Sequence, residues 1–341
     1  MSDPALNDQV TVLIPPDVSA GAQPNGGREV AYAGDVFGTE WSLRLVRKGS
    51  TNPANDDAYL AQLVKACSQT LSLINQQMSL WLATSDIVRF NSLAAGQDML
   101  LPEPLATVTS KAFAICDETE GAFNPGLYEA VELWGFGASN QAEPVASGLA
   151  FSQAREAAPS ATGLLQDSVL TKREGFALDL NGIAKGYAVD LLCDVIRSHP
   201  DTAACFVEIG GELKGYGTRA DGMPFWVDLA PDGDERNPTY RAALYGWACA
   251  TSGEAERFHE RGGTRYSHIL APQTGASVHS DLVAATVFDK ECARADALAT
   301  AMIVMGAERA LAFADNQAIP CVLSVRTGTA DIISSAMQEW F

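Results

Sequence analysis

The stretch Phe176-Ala-Leu-Asp-Leu-Asn-Gly-Ile-Ala-Lys-Gly-Tyr-Ala188 determines how this chain is organised. Its first five residues, 176–180, read as a strand that leads into a glycine-rich turn. The apolar spacing after the turn is typical of a helix, and a helix N-terminus favours anions. Gly182 and Gly186 allow the backbone to approach a ligand closely, and Lys185 adds a positive charge suited to phosphate. The stretch therefore predicts an anion site at the start of a helix.

A second informative stretch, Ala295-Asp-Ala-Leu-Ala-Thr-Ala-Met-Ile-Val-Met305, has the pattern of a buried helix. Asp296 and Thr300 lie four residues apart, so their oxygens share one face and can both reach a hard cation such as Mg2+. Taken with the glycine-rich turn, the pair predicts a Mg2+ and phosphoanhydride site. By itself Asp296 has another interpretation, since a buried helix carboxylate often serves only as a cap or in a salt bridge.

Composition limits the classes of function. The chain has 341 residues, of which 47% are hydrophobic, so it can bury one large core or two ordinary ones. Its net charge of -19 opposes nucleic acid as a partner, because phosphate binding needs clustered Lys and Arg. No stretch approaches the roughly 18 consecutive apolar residues of a membrane span. The seven cysteines show no Cys-x-x-Cys spacing, which argues against zinc, and their apolar neighbours predict buried thiols.

Hydrophobic periodicity predicts one mixed α+β domain. Residues 1–30 are rich in Pro, Gly, Asp and Asn and are expected to be a flexible leader, whereas residues 31–341 show no convincing linker. Residues 37–46 alternate like a strand, and apolar residues from Leu60 to Met78 recur at helical spacing. Strands are also expected at Cys205–Ile209 and at Val283–Phe288, the second of them leading to the Asp296 helix.

Eight motifs along the chain together carry a resemblance to a known family. In order they are Phe37-Gly-Thr-Glu-Trp41, Ser85-Asp-Ile-Val-Arg-Phe-Asn91, Gly121-Ala-Phe-Asn-Pro125, Asp179-Leu-Asn-Gly-Ile-Ala-Lys-Gly-Tyr-Ala188, Glu208-Ile-Gly-Gly-Glu212, Ala250-Thr-Ser-Gly253, Ser267-His-Ile-Leu-Ala-Pro-Gln-Thr-Gly275 and Ala295-Asp-Ala-Leu-Ala-Thr300. This series resembles the FAD:protein FMN transferases of the ApbE type over nearly all of residues 31–340.

The resemblance implies a fold and an activity. The fold would be a single mixed domain with an antiparallel sheet and packed helices. Members of the family use Mg2+ to cleave FAD and join its FMN half to a threonine or serine of an acceptor flavoprotein through a phosphoester, releasing AMP. The acceptor carries a short Ser/Thr-Gly-Ala-Ser/Thr-like motif.

The resemblance also implies roles for particular residues. It supports Asp296, Thr300 and the backbone carbonyl of Ala184 as the metal positions, with Gly182 as the alternative carbonyl. His268 is the candidate general base, since histidine is the commonest group in that role, and Asp296 is the second catalytic candidate. The alternative interpretation of His268 is a loop histidine that only hydrogen-bonds to the backbone.

The expected flavin contacts form a larger group. Phe37 stands where the family commonly has Met, Trp81 stands where it has an aromatic residue, and either ring has the alternative of serving only the core. Asn124 stands where Asp is frequent, and Asn keeps the hydrogen bond without the charge. The remaining expected FAD contacts are Ala122, Phe123, Asp179, Gly182, Lys185, Thr251, Ser252, Gly253, His268 and Leu270.

Two other functions are compatible with the same residues. One is a Mg2+-dependent FAD pyrophosphatase, in which water replaces the protein hydroxyl, and the other is a non-catalytic FAD-binding carrier. Because the family usually acts outside the cytoplasmic membrane on flavoprotein subunits of respiratory complexes, the expected location is the periplasm, with any export signal absent from this chain. The alternative is the cytoplasm, and the default assembly is a monomer.

Overall fold

The computed structural model describes residues 10–18, 27–49, 53–138, 163–230, 239–254, 257–261, 263–326 and 330–341. The helices in these ranges are α1 (Pro53–Met78), α2 (Asp86–Asn91), α3 (Glu103–Glu118), α4 (Tyr128–Leu133), α5 (Ala184–Ser198), α6 (Cys292–Met305), α7 (Ala307–Asn316) and α8 (Ser335–Gln338). Within the same ranges, every helix is too short or too polar to span a membrane.

The strands of the described residues are, in chain order, β1 (Thr11–Leu13), β2 (Arg28–Val36), β3 (Thr39–Arg47), β4 (Asp98–Leu100), β5 (Leu165–Gln166), β6 (Val169–Thr171), β7 (Thr202–Ile209), β8 (Glu212–Tyr216), β9 (Phe225–Leu229), β10 (Tyr240–Leu244), β11 (Trp247–Gly253), β12 (Phe258–Arg261), β13 (Thr264–Ser267), β14 (Leu270–Ala271), β15 (Ala276–Ser277), β16 (Leu282–Asp289), β17 (Cys321–Val325) and β18 (Ile332–Ile333).

The main sheet has eight strands in the order β18-β17-β16-β11-β8-β7-β3-β2. Every neighbouring pair in it is antiparallel, from β2 with β3 to β17 with β18. Antiparallel neighbours need no crossover helix between them, so several strands follow one another through tight turns. The expected α+β domain with an antiparallel sheet is confirmed.

The two faces of the main sheet bury different partners. Along β7, Cys205, Val207 and Ile209 point into the larger core, which the helices α1, α3, α5, α6 and α7 complete. Ala204 and Phe206 point to the opposite face, where the small sheet β1-β10-β9 and helix α8 cover a second core. This alternation is the period of two that a strand imposes, and it produces three layers.

The predicted helices and buried thiols are present. In α1 the apolar positions Leu63, Cys67, Leu71, Ile74 and Met78 are all buried. They lie on one stripe because three- and four-residue steps return to the same helical face. All seven cysteines are free and buried, as their apolar neighbours indicated.

The strand expected at residues 176–180 is wrong. The segment buries Phe176 and Leu178, but it pairs with no strand of the described residues. Side chains take the hydrogen bonds that a neighbouring strand would supply: Leu178 donates its N–H to Asn91 Oδ1 at 2.7 Å, and Asn91 Nδ2 donates to the Leu178 carbonyl at 2.9 Å. A buried backbone needs partners, and a single asparagine amide supplies both here.

The predicted leader of residues 1–30 does not hold for Thr11–Leu13, which pair in parallel with β10. Leu13 is fully buried in the second core, and the N–H of Ile14 donates to the Trp340 carbonyl at 2.8 Å. Residues 1–9 and 19–26 of the predicted leader lie outside the described residues. Arg28–Val30, the last residues of the predicted leader, begin β2 and pair with β3, and the domain boundary itself stays a prediction.

Candidate active site

The predicted site residues on the main sheet gather at one of its ends. The turn Phe37–Gly38 joins β2 to β3 there, and the turn Gly210–Gly211 joins β7 to β8 beside it. Strand β11 pairs Cys249 with Leu213, which is the second residue of β8. Continuing along β11, Thr251–Gly253 therefore extend past the β7–β8 turn at the same end.

Helix α6 carries Asp296 and Thr300 on consecutive turns, next to this end of the sheet. Asp296 is only 4% exposed, and its Oδ2 accepts the N–H of Gly186 at 3.0 Å. Thr300 Oγ1 lies 3.0 Å from Ser252 Oγ, a hydrogen bond in which either hydroxyl can donate. The first of these hydrogen bonds joins residues 110 positions apart in the chain, and the second joins residues 48 positions apart.

The glycine-rich turn lies against the same helix. A Cβ added at Gly182 would be 3.2 Å from the Phe123 ring and 3.5 Å from Thr300 Oγ1. Ala184 lies between Gly182, which neighbours Thr300, and Gly186, which bonds to Asp296. The structure therefore brings together the three residues that the sequence proposed as metal positions.

Lys185 is held by an ion pair with Glu212, a partner that no sequence pattern indicates. Its Nζ lies 2.5 Å from Oε1 of the buried Glu212 at the start of β8.

Burial raises the pKa of Asp296, and the charge of Lys185 and the N–H of Gly186 oppose that increase without cancelling it. The charged form of a carboxylate that is buried away from water in this way is strongly stabilised by a nearby cation.

His268 is placed by two hydrogen bonds to one carbonyl. Its backbone N–H donates to the Arg257 carbonyl at 3.0 Å, and its Nδ1 lies 3.1 Å from the same oxygen. Because a carbonyl can only accept, the neutral ring carries its proton on Nδ1 and keeps the lone pair on Nε2. Burial lowers the pKa of His268 to about 4, and the positive charges of Arg257 and Lys185 contribute in the same direction.

This low pKa predicts a pH-dependent loss of stability. The unfolded chain binds a proton at His268 near pH 6.5 and the folded protein only near pH 4, so stability falls as pH decreases through that window. After allowing for the partial exposure of the ring, we expect His268 to contribute a loss of about 1 kcal/mol between pH 7 and pH 5, against which the raised pKa of Asp179 acts in the opposite direction. Urea unfolding at the two pH values should show a smaller loss for His268→Gln, while His279→Gln, which removes an exposed histidine, should behave like wild type.

Asp179 shapes the turn before α5. Its N–H donates to the Pro125 carbonyl at 2.7 Å, and its Oδ1 accepts the N–H of Asn181 at 2.8 Å. Burial raises the pKa of Asp179 to about 6, with the nearby charge of Glu132 adding to the increase. Through Pro125, Asp179 is tied to the predicted flavin-contacting stretch 122–124.

The candidate flavin contacts occupy different environments. Ala122 and Phe123 are buried, and Leu270 is buried in a separate small cluster with Trp134 and Phe136. Asn124 Oδ1 accepts the N–H of Gly126, which closes a local turn.

Phe37 is half-buried against the larger core and has a left-handed φ of 53°. Trp81 is 55% exposed, so the core-packing alternative does not describe it.

Comparison with known proteins identifies the family. The family model for the ApbE family matches residues 37–323. The chain belongs to the ApbE family. The FAD:protein FMN transferase of Vibrio cholerae is 31% identical over 320 residues, which cover 92% of each protein.

Solved ApbE structures have the same fold. The apo flavinyl transferase ApbE of Pseudomonas stutzeri superposes with a TM-score of 0.83 at 32% identity, covering 92% of this chain and 97% of that one. The flavin transferase ApbE of Vibrio cholerae gives a TM-score of 0.80 at 29% identity, with 92% and 100% covered. The resemblance and the fold class expected from the motifs are confirmed.

Two residues of this ApbE site were given no role by sequence reasoning. Glu212 is the last residue of the motif Glu208–Glu212, but only the fold shows that it pairs with Lys185. Asp190 receives the N–H groups of Cys292 and Ala293 at the start of α6, each at 3.0 Å. The spacing of the sequence could have indicated Asp190, because it lies four residues after Gly186 and therefore on the same face of α5.

Proposed function

We propose that this chain transfers FMN from FAD to a threonine or serine side chain of an acceptor flavoprotein, forming a phosphoester and releasing AMP, in a reaction that needs Mg2+. The proposal is supported by membership of the ApbE family and by relatives named as FAD:protein FMN transferases. The observation that carries it is the convergence of Asp296, Thr300 and the N-terminus of α5.

The residues fit a magnesium ion. Asp296 offers a buried carboxylate, Thr300 offers a hydroxyl one turn later, and the turn beside them offers the carbonyl of Ala184 or Gly182. Oxygen donors of this kind are what Mg2+ prefers, and it usually keeps several waters as well. Bound by these residues, Mg2+ would neutralise charge on the phosphate oxygens of FAD.

The protein's own groups account for the remaining steps. Nε2 of His268, neutral at physiological pH, takes the proton of the acceptor hydroxyl. The hydroxyl oxygen bonds to the phosphorus of the FMN half as the anhydride bond to the AMP half breaks, and AMP leaves with the electron pair of that bond. Lys185, although paired with Glu212, and the dipole at the N-terminus of α5 add positive potential near the phosphates.

We assign the flavin and nucleotide contacts to the predicted residues around this centre. The assignment of Phe123 is supported by its ring lying close to Gly182, the residue that also neighbours Thr300. We add Ala122, Asn124 and Asp179, because Asp179 hydrogen-bonds to Pro125 next to them, and Thr251–Gly253, because Ser252 hydrogen-bonds to Thr300. Phe37, Trp81 and Leu270 complete the group, since flat apolar rings bind best against aromatic and aliphatic side chains.

Intact-mass spectrometry tests the reaction directly. An acceptor domain with a Ser/Thr-Gly-Ala-Ser/Thr-like motif is incubated with FAD, Mg2+ and either wild type or Asp296→Ala. We expect the acceptor to gain the mass of one FMN moiety with wild type only, and EDTA to abolish the gain. Free FMN and AMP without acceptor labelling would instead favour the pyrophosphatase, and FAD binding with no product would favour the carrier.

We further propose that the protein acts in the periplasm on flavoprotein subunits of respiratory complexes, as the resemblance implies. Fractionation of cells that express the full-length native gene tests the location. Recovery of the protein in the cytoplasmic fraction would contradict it.

A further inference from the structure

Asp190 connects three elements of the fold. One of its carboxylate oxygens accepts the N–H of Cys292 at 3.0 Å and lies 2.5 Å from Lys214 Nζ on β8. The other accepts the N–H of Ala293 at 3.0 Å. Asp190 itself belongs to α5, so its side chain links α5 to both α6 and the main sheet.

The contact between α5 and α6 is reciprocal. Gly186 donates its N–H to the carboxylate of Asp296, and Cys292 donates its N–H to the carboxylate of Asp190. In α5 the acceptor Asp190 lies four residues after the donor Gly186, and in α6 the acceptor Asp296 lies four residues after the donor Cys292. A Cβ at Gly186 would lie 2.4 Å from the Cys292 carbonyl oxygen, so the two backbones touch between these hydrogen bonds.

Helix α6 depends on this contact for its N-terminus. Glu291, at the N-cap position, makes no side-chain capping bond. The first N–H groups of a helix have no partner inside it, and a negative charge near them is favourable. Asp190 supplies both the acceptors and the charge from a neighbouring helix.

Two ion pairs fix α5 against β8. Lys185 pairs with Glu212, and Asp190 pairs with Lys214. Glu212 and Lys214 are two positions apart on β8, so both side chains point to the face of the sheet that α5 covers. The Asp190–Lys214 pair is well protected, since the two side chains are 16% and 14% exposed. A pair of this kind holds its geometry better than a surface pair does.

We propose that Asp190 is a positioning residue that sets the distance between the start of α5 and the Asp296–Thr300 face of α6. This inference rests on the proposed function, in which those two parts together bind Mg2+. Asparagine at this position leaves one oxygen for the two amides of Cys292 and Ala293 and removes the charge opposite Lys214, which lets α6 shift relative to Ala184. The metal site then loses its spacing although every proposed ligand is still present.

The test measures binding of Mn2+, as a probe for Mg2+, by electron paramagnetic resonance without FAD. We expect Asp190→Asn to weaken Mn2+ binding about 10- to 100-fold, the range found for groups that orient metal ligands. Asp194→Asn is the matched control, because Asp194 lies one turn later on the same helix and its side chain is 71% exposed. It should change Mn2+ affinity less than about twofold, as surface changes usually have small effects.

A second readout separates positioning from general damage. FMN transfer by Asp190→Asn should recover as Mg2+ is raised, whereas a misfolded protein would not respond to the metal. Lys214→Gln keeps both backbone amides on Asp190 and should weaken Mn2+ binding only several-fold, which keeps the proposal testable if Asp190→Asn does not fold. Wild-type Mn2+ affinity in folded Asp190→Asn, or in Lys214→Gln if Asp190→Asn does not fold, would overturn the role of Asp190. If wild type and Asp296→Asn both fail to bind Mn2+, the proposed metal site itself is overturned and the role of Asp190 with it.

Discussion

Asp296→Asn is expected to lower FMN transfer by about a thousandfold or more while leaving the metal-free protein at least as stable as wild type. The change keeps the size of the side chain and an oxygen that can accept the Gly186 N–H, but it removes the charge that the proposed Mg2+ needs. A metal ion at a phosphoryl centre is worth several kcal/mol, and each 1.4 kcal/mol corresponds to about a tenfold change in rate. Single-turnover transfer to the acceptor domain measures the loss.

Stability provides the second part of this prediction. Burial raises the pKa of Asp296, so ionisation opposes folding at neutral pH, and a neutral isostere relieves that cost. Mg2+ should raise the melting temperature of wild type and leave that of Asp296→Asn unchanged. Glu308→Gln removes an exposed carboxylate from α7 and should match wild type in both measurements. Full transfer activity in Asp296→Asn would refute the metal assignment.

Gly186→Ala is expected to cause the largest loss of stability of any single methyl added to the site. The new Cβ would lie 2.4 Å from the carbonyl oxygen of Cys292 and 2.8 Å from the N of Ala293, both backbone atoms of the neighbouring helix. Backbone atoms cannot rotate away, so α5 and α6 must separate. Overpacking of this kind usually costs about 1–3 kcal/mol in the free energy of unfolding, and this position should reach or exceed the top of that range.

Gly182→Ala is the informative comparison for Gly186→Ala. Its Cβ would meet side-chain atoms only, the Phe123 ring at 3.2 Å and Thr300 Oγ1 at 3.5 Å, and these can adjust. We expect less than about 1 kcal/mol of lost stability in urea unfolding, because the neighbouring side chains can absorb the strain. Equal losses in the two variants would show that the α5–α6 contact is looser than the structure indicates.

Local sequence patterns were sufficient for some of the site and not for the rest. Asp296 and Thr300 could be paired from their spacing, because four residues return to the same helical face. The apolar positions of residues 176–180 were also found, but their assignment to a strand failed. Alternation shows which side chains are buried; it does not show whether the backbone partner is a strand or, as here, the amide of Asn91.

The sequence alone determined the family, the antiparallel α+β class and the identity of the candidate ligands, because these depend on motifs and on periodicity within short stretches. Only the tertiary structure decided how the parts meet: Gly186 with Asp296, Lys185 with Glu212, and Asp190 with the start of α6. Each of these contacts joins residues that are far apart in the chain or on different elements. These contacts depend on how the two helices pack on the sheet, and no local sequence pattern determines that packing.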